Sequence, residues 1–322
     1  MPVLDELKAQ IARRLPELDM VIGWGHGYDS LHRTPLFIEN EADIDKLVFD
    51  PLCVHNLATY LTRHGNAKKI GVVVKGCDSR SVVELLQEKL VSRDNVVIFG
   101  LPCEGVADLG KVKRALTDQG LDMGHVRETA TGGGKLTLTV SGKEVVLPLS
   151  EVMADKCGRC RYHNAVLHDE FAGTPVEGQA KDAYADVASF ESQTLEERME
   201  FWREQMERCV RCYACRNACP LCVCRDYCIA QSRDPGWVSQ RDGLEEKFFF
   251  QMIHAMHLAG RCTECGECER ACPVDIPLLL LKRKLGKEIK DLFDYSAGTE
   301  LEIKPPLLAF KVEEDNINER GW

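Results

Sequence analysis

Two stretches of this chain, CVRCYACRNACP and CTECGECERACP, each set four cysteines in the spacing C-x2-C-x2-C-x3-C-P. Cys209, Cys212, Cys215 and Cys219 form the first run, and Cys262, Cys265, Cys268 and Cys272 form the second. Three thiolates on so tight a loop can cap three irons of a [4Fe-4S] cubane, while the fourth cysteine, opening a helix, faces a neighbouring cluster. The spacing therefore assigns Cys209, Cys212, Cys215 and Cys272 to one cluster, and Cys262, Cys265, Cys268 and Cys219 to another. Zinc is the competing metal, but it takes paired C-x2-C units rather than triple runs closed by Cys-Pro. Pro220 and Pro273 then end the coordinating turns.

The sequence holds 16 cysteines in 322 residues. Its N-terminus, MPVLDELKAQIARRLPELD, mixes charge with Leu4, Leu7, Ile11 and Leu15 at helical spacing. That pattern predicts an amphipathic helix rather than a cleaved signal, and a chain that stays in the cytoplasm. Thiols are kept reduced there, so cysteines in this number point to metal ligands and not disulfides. No apolar stretch reaches the length of a membrane span. A net charge of -10 without a long basic run argues against nucleic acid as a partner.

Periodicity divides the chain into an α/β half and a helical half. Lys69 to Val74 and Asn95 to Gly100 read as strands with a helix, Ser81 to Val91, between them, which is a βαβ unit and predicts parallel pairing. KLTLTV and KEVVLPL flank Ser141-Gly142 and read as a β-hairpin. The expected fold is thus an α/β N-terminal domain with a small mixed, largely parallel sheet (residues 1–175), followed by a linker (176–194). A mainly α-helical dicluster domain (195–292) and an extended tail (293–322) come next. Helices are expected over Leu195 to Arg208, Glu245 to Leu258 and Ile276 to Leu292. The last stretch, Lys304 to Trp322, suits either a surface strap or disorder.

Eight further cysteines lie outside the two runs. Cys77 and Cys103 each follow a strand of the βαβ unit, so parallel pairing brings them to one sheet edge, where Cys157 and Cys160 of CGRC complete a four-thiol set. A third [4Fe-4S] cluster is one reading of this set; two buried free cysteines beside a structural CxxC pair is the other. Cys222, Cys224 and Cys228, dense around CPLCVCRDYC, could hold a fourth cluster together with Cys53.

KGCDSRSVVELLQEK, VIFGLPCEGV and KCGRCRYHNAVLHDEFAG, over residues 45 to 175, resemble in order the β-subunit family of deazaflavin-dependent hydrogenases and formate dehydrogenases. The helical half, over 195 to 292, is similar to the α-helical ferredoxin domains of heterodisulfide reductase small subunits and succinate dehydrogenase iron–sulfur subunits. The first resemblance implies FAD beside a [4Fe-4S] cluster, and electrons passed between deazaflavin or ferredoxin and a hydrogenase or formate dehydrogenase partner. The second implies a heterodisulfide-reductase-like flavoprotein as neighbour. One departure weighs against FAD: where the family has a Gly-Gly turn before the helix here reading VHNLATYLTRHG, this chain has Pro51 and Leu52, then Cys53. Gly23 to Gly27 and Gly132-Gly133-Gly134-Lys135 remain as turns able to cradle phosphate. His26, His32, His55, His163 and His168 lack metal-ligand spacing and receive no role. The leading expectation is a non-catalytic electron-transfer subunit, and the alternative is a flavin-containing oxidoreductase coupling deazaflavin or NAD(P)H oxidation to ferredoxin reduction.

Overall fold

The computed structural model describes residues 3–64, 67–177, 184–224 and 241–309, with Cys228, Gly236, Val238 and Ser239. The amphipathic first helix is α1 (Val3–Arg14), which buries Leu7 and Ile11 completely. Two strands that periodicity did not mark follow, β1 (Met20–His26) and, antiparallel to it, β2 (Arg33–Ile38). The glycines of Gly23-Trp24-Gly25 therefore sit inside a strand, paired to Leu36, Pro35 and Thr34, and do not form a phosphate-cradling turn. A Cβ at Gly23 would fall 2.3 Å from Leu47 Cδ1, so a larger residue there would require the buried Leu47 side chain to move.

β3 (Ile70–Val74) and β4 (Val96–Gly100) match the two expected strands and pair in parallel, Val74 opposite Gly100. Every residue of both is buried, as strands covered on two faces must be. The helix between them, α2 (Gly76–Gln87), begins five residues before the expected Ser81. Its polar first turn, CDSR, conceals the start from a hydrophobic pattern. The Asp78 carboxylate accepts the Lys75 backbone N–H at 3.2 Å and caps the helix.

α3 (Leu109–Thr117) leads to an antiparallel three-stranded sheet of β5 (Val126–Gly132), β6 (Lys135–Val140) and β7 (Lys143–Pro148). The expected hairpin is β6–β7, and Ser141 and Gly142 at its turn both have positive φ, 50° and 78°. β5 escaped the pattern because most of VRETATG is exposed and does not alternate. β8 (Glu170–Phe171) closes the main sheet, whose order is β2-β1-β3-β4-β8, with β1, β3, β4 and β8 parallel.

Within the stretch expected as a linker lies a short helix, α4 (Ala185–Glu191). α5 (Leu195–Arg208) opens on a reciprocal cap: Thr194 Oγ1 accepts from Glu197 N at 3.2 Å, and the Glu197 carboxylate accepts from Thr194 N at 2.8 Å. α6 (Leu244–Met256) and α7 (Leu278–Phe293) complete the helical half, and no strand follows β8 among the described residues. The halves share a core, since Leu221 and Leu258 pack with the sheet cluster. α2 is the joint: Arg80 donates to the carbonyls of Thr263 (2.9 Å) and Ala297 (2.7 Å), and Tyr295 Oη donates to Glu84 at 2.7 Å. The start of the expected tail thus lies against α2, whereas residues 310–322 fall outside the described residues.

Candidate metal centres

The two cysteine runs fold alike. In the first, Arg211 and Tyr213 have φ of 48° and 60°; at the same places in the second, Glu264 and Gly266 have 57° and 73°. Left-handed backbone at a residue with a side chain costs about 1–2 kcal/mol, so its recurrence at matched positions marks one loop shape used twice. Short helices, Ala214–Asn217 and Glu267–Arg270, follow each loop and carry Cys215 and Cys268.

Cys209, Cys212, Cys215 and Cys272 line a single cavity of about 310 Å³ counted to its mouth, walled by Tyr213, Phe250, Ile276 and Leu278. Cys209 and Cys215 are buried and Cys212 is exposed. Gln251 Nε2 donates to Cys215 Sγ at 3.8 Å, and one turn further along α6 the buried His254 ring has no hydrogen-bond partner at either nitrogen among the described residues. Burial holds that imidazole neutral, its pKa pushed down to about 2. Cys262, Cys265, Cys268 and Cys219 interact among themselves: Cys262 with Cys265 and Cys268, and Cys219 with Cys265 and Cys262. Burial pushes the Cys262 thiol up to about 12 and Cys219 well above its ordinary value, so a bound metal is what would keep either as thiolate.

Cys77, Cys103, Cys157 and Cys160 also share one cavity, of about 680 Å³ counted to its mouth. The parallel register of β3 and β4 places the first two at one edge. The CGRC segment reaches them through three contacts: Val106 N donates to Cys157 Sγ at 3.4 Å, Cys103 N donates to the His163 carbonyl at 2.7 Å, and Tyr162 passes over Gly76. A Cβ at Gly76 would lie 1.8 Å from the Tyr162 carbonyl oxygen, so only glycine allows this approach. Burial raises the Cys103 thiol to about 11 and Cys77 well above its usual value.

The remaining four separate in their surroundings. Cys53 is wholly buried in the sheet core, with hydrogen bonds to the Val48 carbonyl at 3.7 Å and from Asp50 N at 3.4 Å. Cys222, Cys224 and Cys228 interact with one another, and residues 225–227 between them lie outside the described residues.

Donor chemistry fits anionic clusters at these thiol sets. Lys282 of α7 is 3% exposed and forms no ion pair among the described residues. Burial alone would discharge it, but Cys268, Cys219, Cys262 and Cys215 as thiolates hold its proton above the ordinary lysine value. Lys156 likewise has no ion pair among the described residues; burial opposes its charge, and Cys77, Glu267, Cys157 and Cys265 sustain it. Neutral thiols would leave Lys282 without counter-charge and Lys156 with the Glu267 carboxylate alone. Among the described residues no three His, Cys, Asp or Glu side chains are placed to hold one metal ion.

Sequence reasoning passed over Lys75, Lys156, Lys282 and His254. The one available signal was position, since Lys282 falls four residues after Leu278 on the buried stripe of α7. Lys75 is buried against Trp24, with its ammonium 4.0 Å from the ring centre and 2.7 Å from Asp78. It also lines a second large cavity, about 1110 Å³ counted to its mouth, shared with Cys103, Pro51 and the Gly132-Gly133-Gly134-Lys135 turn. Of the histidines given no role, His163 lines the Cys77 cavity and its ring meets the Cys103 carbonyl at 3.2 Å.

Residues 67–223 match the family described as coenzyme F420 hydrogenase/dehydrogenase, C terminus of the beta subunit, and residues 205–276 match the 4Fe-4S dicluster domain. The first match runs past Leu195 and overlaps the dicluster domain. An F420-dependent formate dehydrogenase subunit beta of Methanocaldococcus jannaschii is 24% identical over 92% of this chain and 90% of its own length. An F420-dependent formate dehydrogenase 1 subunit beta of Methanococcus maripaludis is 23% identical over 90% of this chain and 89% of its own. A chain of the F420-reducing [NiFe] hydrogenase complex from Methanosarcina barkeri superposes with a TM-score of 0.40 and 19% identity, covering 52% of this chain. That superposition spans 64% of the hydrogenase chain, under two thirds of its length. Among the described residues no helix is long and apolar enough to cross a membrane.

Proposed function

We propose that this chain, which joins a carboxy-terminal β-subunit domain of the coenzyme F420 hydrogenase/dehydrogenase type to a 4Fe-4S dicluster domain, is the iron–sulfur electron-transfer subunit of a multisubunit redox complex. It relays electrons through [4Fe-4S] clusters between a hydrogenase, formate dehydrogenase or heterodisulfide-reductase-like flavoprotein and another carrier such as ferredoxin. The cytoplasm is its place of work. The observation that carries the reading is the gathering of Cys209, Cys212, Cys215 and Cys272 around one cavity, from two runs 42 residues apart. The relatives named as formate dehydrogenase beta subunits support it along nearly the whole chain.

Bound clusters would supply one-electron storage, and the chain's own residues would do the rest. Thiolates of the two runs hold two clusters, and Cys77, Cys103, Cys157 and Cys160 hold a third. Phe250, Ile276 and Leu278 wall the inner side of the first site, whose Cys212 faces solvent, and buried Lys282 offsets the negative charge of reduction. Bond-making chemistry belongs to a partner protein. Cys212→Ser in anaerobically purified protein should remove one cluster signal and abolish electron throughput, and throughput retained at the wild-type rate would refute the assignment.

One observation favours the second reading, a flavin-containing oxidoreductase. The open cavity beside Cys103 is bordered by the Gly132-Gly133-Gly134-Lys135 turn, whose backbone is suited to a cofactor phosphate within reach of a cluster. Acid extraction discriminates the two: yellow, fluorescent flavin released in proportion to chain supports the oxidoreductase, and none from fully iron-loaded protein supports the relay.

A further inference from the structure

We propose that the Cys262 site is the middle station of a three-site electron path, and that Lys156 is the positioning residue coupling it to the Cys77 site. The inference rests on the reading above that Cys77, Cys103, Cys157 and Cys160 hold a cluster.

The contacts between the sites are direct. Thr263 and Glu264, the two residues separating Cys262 from Cys265, are themselves walls of the Cys77 cavity. Lys156, adjoining Cys157 and lining the same cavity, donates from Nζ to the carbonyl of Cys265. Its stem lies over Gly266, where a Cβ would come within 2.6 Å of Lys156 Cδ, and the φ of +73° there suits glycine. Arg80, a further wall of the cavity, ties down the same loop by donating to the Thr263 carbonyl at 2.9 Å. No residue of the first run borders the Cys77 cavity, and neither Cys77, Cys103, Cys157 nor Cys160 borders the Cys209 cavity. The exchanged cysteines, Cys219 and Cys272, join the Cys209 and Cys262 sites to each other, so the order along the path is Cys209 site, Cys262 site, Cys77 site.

A step along this path moves one electron: one cluster is oxidised by one unit as its neighbour is reduced by one, and no bond is made or broken. Lys156 acts on that step in two ways. Its hydrogen bond fixes the Cys265 backbone against the cavity, and its positive charge, close to Cys77, Cys157 and Cys265, favours the added electron on either side.

The test uses full-length protein with Lys156→Met and Lys156→Arg, measuring iron and sulfide per chain and then potentials by EPR-monitored titration. A Cys212→Ser sample identifies the Cys209-site signal. The expected result is wild-type iron in the Met variant, two signals shifted to lower potential, the Cys209-site signal unmoved, and potentials restored by arginine. Iron lost from the Met variant alone, and regained with arginine, also supports a role for the charge. Full iron with unmoved potentials, an equal shift of all three signals, or iron lost from both variants would overturn Lys156 as the coupling residue. A wild-type content of about eight irons, the equivalent of two four-iron clusters, would overturn the third cluster and the inference with it, and is read before any variant is made.

Discussion

Lys282 occupies a place that an apolar helix would give to leucine. It follows Leu278 by four residues on α7 and is as deeply buried, and beside it Arg283 is neutralised by Asp186 at 2.8 Å and by Glu264. Lys282 has instead the thiols of Cys268, Cys219, Cys262 and Cys215. This environment makes its contribution depend on iron. In chelator-stripped protein, Lys282→Met should gain about 1–3 kcal/mol over wild type, because an uncompensated buried charge is removed. In iron-loaded protein the gain should vanish. Denaturation of both proteins in both states checks it; equal gains with and without iron would mean that the thiols do not supply the counter-charge. The residue scale also separates what was legible from what was not. Cubane ligands in a run are adjacent in sequence, so Cys209 to Cys219 and Cys262 to Cys272 declare themselves. Buried lysines do not, because lysine in a helix reads as solvent-facing until the packing is known.

At the scale of elements, α2 decides how the halves meet, and its buried polar face is what conceals it in the sequence. Ser81, Arg80 and Glu84 would be surface residues of an isolated βαβ unit; here they bond to Thr263, Ala297 and Tyr295. Glu84 is wholly buried, and burial raises its carboxyl to about 7 against an ordinary value of 4.5. Its folded pKa is therefore above its unfolded one. The folded state holds the proton more tightly, so the contribution to stability is full below the unfolded value and declines as pH rises through about 7. Glu84→Gln keeps an oxygen to accept from Tyr295 and removes the ionisation. The variant should be more stable than wild type at pH 8 and lose that advantage toward pH 5, which paired thermal melts would show; an advantage independent of pH would contradict the assignment. The β3–α2–β4 unit and the β6–β7 hairpin were legible because period and turn chemistry agree there. β1 was hidden by its glycines and β5 by its exposure, features that only the paired strands explain.

Across the whole molecule, the Cys77 set and the second cysteine loop meet at the joint between an α/β half and a helical half, and the Cys209 set lies within the helical half. The sheet edge supplies Cys77 and Cys103, the segment after CGRC packs against Gly76 through Tyr162, and the second cysteine loop closes over the same cavity with Thr263 and Glu264. The domain division expected at residues 176–194 marks a change of composition, but the shared core and the contacts of α2 bind the halves together. This arrangement explains why the N-terminal half can be part of the path and not merely a support for it. Iron and acid-labile sulfide per chain, with flavin quantified on the same anaerobically purified sample, test that claim most directly. The account predicts about twelve irons; about eight irons would confine the clusters to the two cysteine runs and contradict it.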